Sequence, residues 1–403
     1  MAELTKDTIR IRMYRVGFGD CFLISLPVGD DHAHVLVDCG VHSKGDIGTI
    51  QDAVTDALAE AKNKLAIVIA THAHQDHISG FGKCDAQFRA CEEVGEVWLP
   101  WTEDPKDKTA ARLKSKTLAL VEQLQMHFAA SGGAAKAEFA MMNIAGNEKA
   151  LQLLKSGIKN GTVRYLEVGG ELKNPGGIQG LNVKVLGPPR DQAFLAKMDP
   201  PAGERFLRMN GSQPEAANGV KPFLGKWLFN PVRHRAYPAL EAKDRDSLGK
   251  LSADPEALAF ALDQAINNTS VVALFSYRGK YLLFPGDAQY GNWNFWMSQD
   301  GSDELLAEID FYKVGHHGSF NATPKKAVAK MTKGKFAAMA STQNSPWASI
   351  PLAKLVAAVE AQASGFVRSD SIPVKNAPKG PALKKLPPGF SQGKSWFDYE
   401  IPC

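Results

Sequence analysis

Five of the ten histidines in this chain fall in two short stretches. The first reads His72-Ala73-His74-Gln75-Asp76-His77. Three imidazoles and a carboxylate within six residues form a donor set suited to zinc, iron or manganese. The spacing predicts a loop that turns its first two histidines one way and Asp76 and His77 the other. One such loop can serve two adjacent metal ions. A solvated polar turn is the competing reading, and it suits isolated histidines better than a packed motif.

The second stretch reads Lys313-Val314-Gly315-His316-His317-Gly318-Ser319. Here one imidazole is expected to bind metal while the other faces substrate or stands behind a ligand. The glycines permit close backbone approach or positive φ. Between the two stretches, Gly286-Asp287 closes the segment KYLLFPGD. Alone, such a pair reads as a turn. Beside the histidine motif, Asp287 becomes a candidate bridging carboxylate.

The elements that must carry these residues follow from periodicity. Residues 8–17 alternate apolar and polar side chains, which predicts a half-buried strand. FLISLP and HVLVDCG are further strands, the latter ending at Asp38 and Gly40. Residues 48–63 have helical spacing. KLAIVIATHA at 64–73 is a continuous apolar run, as suits a strand buried on both faces, and it delivers the chain directly into the histidine motif. Helices are expected over 107–131, 146–158, 292–299 and 352–364. Strands are expected over 181–189, 270–277, 280–287, 309–315, 335–341 and 396–401. This order argues for a layered α/β architecture.

We read 1–403 as a single domain with inserted segments: a helical one over 102–160 and a basic, partly irregular one over 190–265. Residues 368–403 form an extended C-terminal segment. Residues 190–250 hold eleven Lys/Arg against seven Asp/Glu. That stretch reads as a substrate-contacting lid or as a surface elaboration, with equal weight.

Composition bounds the function loosely. The chain is 44% hydrophobic with a formal net charge of +4, ordinary for a globular protein and too mild to name a nucleic-acid partner. Five cysteines without close spacing argue against a disulfide framework. With no apolar leader and no apolar run of about 20 residues, the expected setting is cytoplasmic, away from membrane.

H-x-H-x-D-H, Gly286-Asp287 and K-V-G-H-H-G-S together resemble the metallo-β-lactamase superfamily. The hydrolase domain attached to bacterial DNA-uptake channel proteins and the phosphorylcholine esterases are the nearest in look. Val16-Gly17-Phe18-Gly19-Asp20, Val35–Gly40 and Asn267–Val272 add to it. The resemblance implies a four-layer αβ/βα sandwich and two divalent metal ions, with zinc favoured over manganese or iron. It places His72 and His74 on one metal, Asp76, His77 and His317 on the other, and Asp287 between them. Asp38 would orient a ligand histidine from behind. Two departures stand out. Asn268 occupies the position where the superfamily usually has another histidine, with His127 and His234 as conceivable substitutes. The late His-Pro of the relatives is missing from the stretch 343–351.

The implied chemistry is hydrolysis by a metal-bridged hydroxide. Asp76 or Asp287 would orient and deprotonate the nucleophile, and His316 or Lys313 would protonate or stabilise the leaving group. A carboxylate bridge rather than Cys favours harder metal character. In the families this chain resembles that pattern goes with phosphodiester substrates, so the resemblance implies a phosphodiesterase, with DNA or RNA among the candidate substrates. Two other classes stay open: hydrolysis of a carboxylic ester, thioester or lactone, and a weakly catalytic metal-binding module acting in a complex.

Overall fold

The structure is a computed structural model that describes residues 6–131, 142–144, 146–204, 206, 262–343, 345, 347, 349–373, 382–383 and 385–403. Among these, two large sheets lie face to face. The first runs, edge to edge, Phe390–Gln392, Trp396–Pro402, Thr8–Tyr14, Cys21–Val28, Asp31–Cys39, Lys64–Ile69, Glu93–Pro100 and Thr162–Leu166. The second runs Gly365–Arg368, Ala337–Ala340, Phe311–Lys313, Lys280–Phe284, Val272–Tyr277, Asn182–Gly187 and Glu171–Lys173.

Three large apolar cores among the described residues make this a four-layer sandwich. The middle one interleaves both sheets: Ile9, Ile11, Val35 and Ile67 meet Val183, Phe275, Phe284 and Phe311. The second lies on the outer face of the first sheet, where Val54, Leu58, Ile78 and Phe81 from the helices Ile50–Glu60 and Gln75–Lys83 cover Leu23, Leu36 and Val68. The third covers the outer face of the other sheet with Trp293, Trp296, Leu306 and Leu355. The expected mixed α/β sandwich is the architecture observed. Its central strands must therefore be apolar on both faces, which is why KLAIVI reads as an unbroken run. No helix among the described residues is long and apolar enough to cross a membrane. All five cysteines are free.

The strand Thr8–Tyr14 corrects one expectation. Its alternation predicts one solvated face, yet Arg10 and Arg12 are buried. Arg12 forms a fork with Asp398, Nε to Oδ1 at 2.7 Å and Nη2 to Oδ2 at 2.8 Å. Its third nitrogen donates to Asp56 at 2.7 Å, and its guanidinium lies over the Trp396 ring. A paired, stacked guanidinium can be buried where an unpaired one cannot. Thus the polar face of this strand packs on the helix Ile50–Glu60 and on the last strand, Trp396–Pro402, with Arg12 opposite Asp398 in register.

Several short elements carry no strong signal in the sequence. Glu93–Pro100, Thr162–Leu166, Gly365–Arg368 and Phe390–Gln392 are strands recruited by neighbours already in place. Most of the basic segment, 205 and 207–261, lies outside the described residues, as do 374–381 and 384 of the C-terminal segment.

One buried group away from the site gives the fold a pH signature. His34 is 4% exposed, its Nδ1 is 3.0 Å from Ser25 Oγ, and burial pushes its pKa down to about 4. The unfolded chain takes up this proton first, near pH ~6.5. The stabilisation is therefore full above that value and is lost as pH falls through about 4. Between pH 7 and 4.5 we expect wild type to lose about 2–3 kcal/mol more than His34→Gln in urea unfolding. Parallel losses in the two proteins would refute it.

Candidate metal centre

The site lies where the ends of strands from both sheets converge. Lys64–Ile69 ends in Ala70-Thr71 and releases His72. The motif is only partly a loop, contrary to expectation. His74 is the N-cap of the helix Gln75–Lys83, so Asp76 and His77 sit on its first turn. An acidic side chain is favoured at that end of a helix. Close backbone approach holds this turn in place: a Cβ on Gly40 would lie 2.4 Å from His77 N. Gly40 closes the motif VDCG, and its lack of a side chain lets strand Asp31–Cys39 abut the ligand helix. Gly286, at φ +56°, similarly tucks the Asp287 turn against Thr71 and Ser270.

Six of the residues singled out in the sequence come together, all buried. Asp76, His77, Asp287 and His317 offer donor atoms within 4.8 Å of one another, and so do His72, His74 and Asp76. Asp76 is common to both groups. His317 Nε2 is 3.0 Å from Asp76 Oδ2 and 3.4 Å from Asp287 Oδ2. His77 Nε2 is 3.2 Å from Asp287 Oδ2. His72 Nε2 and His74 Nδ1 face each other at 3.0 Å.

Each of three imidazoles is gripped by its other nitrogen. His77 Nδ1 meets Asp38 Oδ2 at 2.8 Å, which is the orienting place expected for Asp38. His317 Nδ1 donates to the Ser341 carbonyl at 2.8 Å. His72 Nδ1 is 3.2 Å from Thr71 Oγ1, whose own proton goes to Asp38 Oδ2. These contacts hold Nδ1 of all three rings and turn Nε2 inward, toward the carboxylates and His74. Asp38, His316 and His317 all have positive φ, at 55°, 44° and 52°. Strained backbone concentrated at one place marks a functional constraint.

The electrostatics are those of an anionic cage. Burial alone would lower the His77 pKa, but Asp287, Asp38, Asp76 and Asp20 raise it well above the usual imidazole range. His317 is raised in the same way, by Asp287 and Asp20 first. His72 and His74 go the other way, with burial dominant and His74 pushed down to about 4. His77 and His317 together outweigh the burial of Asp76 and Asp287 and hold both well below the carboxylate range. Burial raises Asp38.

Buried Asp76 Oδ1, Asp287 Oδ2 and His77 Nε2 find no hydrogen-bond partner among the described residues. Buried polar atoms without partners are costly, and convergent ones of imidazole and carboxylate type are what a divalent cation satisfies. The residues present therefore fit a divalent metal ion.

Two of the residues singled out in the sequence are engaged by neighbours inside the protein. Lys313 is the first. It is buried, its Nζ bonded to Asp20, to the Gly286 carbonyl at 3.1 Å and 3.4 Å from Asp287 Oδ1. Asp20 and Asp287 outweigh burial and raise its pKa, so it remains a charged internal counter-ion. Asn268 is neither a ligand nor a support for one. Its Oδ1 accepts from the backbone of Gln289 and Asn292, both at 3.1 Å, and its Nδ2 donates to the carbonyls of Phe194, Leu195 and Lys197. Both ends of the amide are used in fastening loops.

His316 lies at the edge of the cluster, with its side chain 14% exposed. Its Nε2 is 3.3 Å from Asn267 Nδ2 and 3.9 Å from Asp287 Oδ2, and burial lowers its pKa. His127 falls on the helix Lys108–Ser131, and its side chain lies outside the described residues, as does all of His234. In the stretch 343–351, so do Asn344, Pro346 and Ala348.

Sequence reasoning assigned no role to Asp20, Thr71, Asn143, Asp263 or Ser341. Asp20 was visible in the motif GFGDC. Asp263 had no signal: it stands in a helical turn at 262–267, with Oδ1 3.6 Å from His74 Nε2. Burial pushes its carboxyl up to about 8, with Asp76 and Asp287 adding, and a cation held by His72 and His74 would act in the opposite sense and favour the carboxylate.

Residues 14–170 match the family model described as metallo-beta-lactamase superfamily. The matched stretch holds Asp20, Asp38 and the motif His72–His77; Asp287, Lys313 and the histidine pair lie beyond it. Among solved structures, the chain is similar to the metallo-beta-lactamase fold protein YhfI from Bacillus subtilis. The identity is 11%, covering 93% of this chain and 98% of that one, with a TM-score of 0.39. No curated protein matches the chain.

If Lys313 is a buried counter-ion, Lys313→Met leaves two buried carboxylates facing each other. We expect the metal-free protein to lose about 3–5 kcal/mol in chemical denaturation. Added zinc should recover part of this loss. Unchanged stability with activity abolished would return Lys313 to the chemistry.

Proposed function

We propose that this protein is a metal-dependent hydrolase of phosphodiesters. The observation that carries the reading is the pair of buried donor groups sharing Asp76, within which Asp76 Oδ1, His77 Nε2 and Asp287 Oδ2 find no hydrogen-bond partner among the described residues. A superfamily composed mostly of metallo-hydrolases supports the hydrolytic part.

In this reading His72 and His74 would hold one divalent ion, and His77, His317 and Asp287 a second, with Asp76 common to both groups; zinc is the favoured metal. Such ions, when bound, lower the pKa of water toward ~7 and neutralise charge growing on the attacked centre. The chain contributes the rest. Asp38, Thr71 and Ser341 hold three imidazoles in the inward-facing tautomer. Asp76 Oδ1, without another partner, accepts the proton of the attacking water. His316 and Asn267 stand together at the edge of the cluster, where a leaving group would depart, and His316 takes the proton-donor role alone now that Lys313 is fixed elsewhere.

Only oxygen and nitrogen donors surround the shared position, which favours hard metal character and anionic substrates. The likeness of GFGDC, NNTSVV and KVGHHGS to the DNA-uptake hydrolase domains and phosphorylcholine esterases points the same way. The basic segment 190–265 would then meet the substrate backbone.

The test is metal content and hydrolysis on wild type and Asp76→Ala. We expect near two ions per chain by elemental analysis and turnover of bis-p-nitrophenyl phosphate, both reduced in the variant, activity by at least about 10³-fold. Turnover of esters or lactones alone would replace the phosphodiester assignment, and absence of metal would overturn the reading altogether. With single-stranded DNA as substrate, kcat/KM should fall steeply from 50 to 200 mM salt, because each phosphate contact releases counter-ions. A flat profile would remove nucleic acid from the substrate class.

A further inference from the structure

His74 differs from the other three buried histidines of the centre. His72, His77 and His317 each have one ring nitrogen held within hydrogen-bond range by Thr71, Asp38 or Ser341. The outer nitrogen of His74, Nε2, is buried and has no such partner among the described residues. Its inner nitrogen, Nδ1, faces His72 Nε2 at 3.0 Å. Thr71 Oγ1 already spends its proton on Asp38, so it accepts from His72 Nδ1–H, and His72 Nε2 presents a lone pair. For the two histidines to act as a pair of donors, His74 must also present a lone pair at Nδ1. Its proton must then sit on Nε2, and something must hold it there.

The group that faces Nε2 is the Asp263 carboxylate, with Oδ1 3.6 Å away. Asp263 is not left to swing. Asn143 Nδ2 donates to the same Oδ1 at 3.1 Å. The Asn143 side chain also reaches the ligand helix, where its Oδ1 accepts from Asp76 N at 3.4 Å. Asn147 completes the brace, its Nδ2 donating to the carbonyls of Ala73 and Asn143 at 2.9 and 3.0 Å. Thus a carboxylate from 262–267 and two amides from 143–147 converge on the backbone and imidazole of the motif.

We propose that Asp263 is a positioning residue: it accepts the Nε2 proton of His74, fixes that tautomer, and so makes His72 and His74 competent to bind a metal ion together. This rests on the metal-centre reading above and adds to it a residue outside the recognisable motifs. It also relieves the departure at Asn268. A site short of one imidazole gains from a carboxylate behind a ligand that it keeps, since a carboxylate partner raises the basicity of the histidine that bonds to it. Asp38 stands in the same relation to His77, so the two halves of the centre would share one construction.

The experiment uses chelated full-length protein titrated with zinc in a calorimeter, for wild type, Asp263→Ala and Asp263→Asn. Removing a carboxylate of this kind costs about 10–100-fold in metal affinity. We expect Asp263→Ala to weaken one binding step by that factor and to leave the other within about 2-fold. Asp263→Asn keeps an acceptor oxygen at the same volume, so it should recover part of the loss and covers the case in which the alanine variant fails to fold. Histidine side-chain 1H–15N spectra supply a readout that is independent of activity. In wild type loaded with zinc, the His74 proton is expected on Nε2, and in Asp263→Ala that resonance should shift or broaden by exchange. Zinc affinities equal in all three proteins, or a His74 resonance unmoved by the substitution, would overturn the role of Asp263 while leaving the metal centre intact. Absence of zinc binding in wild type itself would instead overturn the metal centre, and this inference with it.

Discussion

Four carboxylates, Asp20, Asp38, Asp76 and Asp287, are sunk together in the interior, with one ammonium, Lys313, among them. Charges of one sign at this separation repel strongly once water is excluded. Two histidines respond by holding protons above their usual range, His77 well above it. Most of what is peculiar about the molecule follows from this constraint. Cationic charge has to be supplied at the centre, and the imidazoles are oriented so that a divalent ion can supply it. A binding site and a stability problem are the same set of atoms.

The scaffold meets the constraint by division of labour. One sheet delivers Asp38 and the His72 motif from adjacent parallel strands, Asp31–Cys39 and Lys64–Ile69. The other delivers Asp287 and Lys313 from the parallel pair Lys280–Phe284 and Phe311–Lys313. Ligands in open α/β architectures collect at the carboxyl ends of strands, where chain crosses from one element to the next. Here two such ends face each other. Neither sheet holds a full donor set, so the centre exists only when both are packed. The apolar middle layer, from Ile9 to Phe311, thereby sets the distance between Asp76 and Asp287.

Sequence alone exposed the parts whose chemistry is local. The histidine motif, Asp287 and the pair at 316–317 are dense, rare residue types at strand ends, and the long buried strands have unmistakable periodicity. What it hid depends on partners far along the chain. Lys313 looks like an acid until Asp20, almost 300 residues earlier, is seen to hold it. Asn268 looks like a substituted ligand until both ends of its amide are found engaged by backbone. Arg12 looks solvent-facing until Asp398 and Trp396 arrive beside it. Asp263 stands in no motif at all. Its proximity to His74 comes from the packing of a helical turn that no spacing rule anticipates.

The register of Thr8–Tyr14 with Trp396–Pro402 has a consequence for biogenesis. During synthesis the guanidinium of Arg12 emerges early, while its buried counter-charge at Asp398 follows 386 residues later. Until then the strand has a hydrogen-bonding edge without its neighbour and a cation that cannot be internalised. Sequence-distant pairings are slow to form and leave strand edges open to wrong partners. The nascent chain thus carries this sheet unfinished while the 386 residues between the two partners are made. Closing the sheet around Arg12 waits on a strand far along the chain.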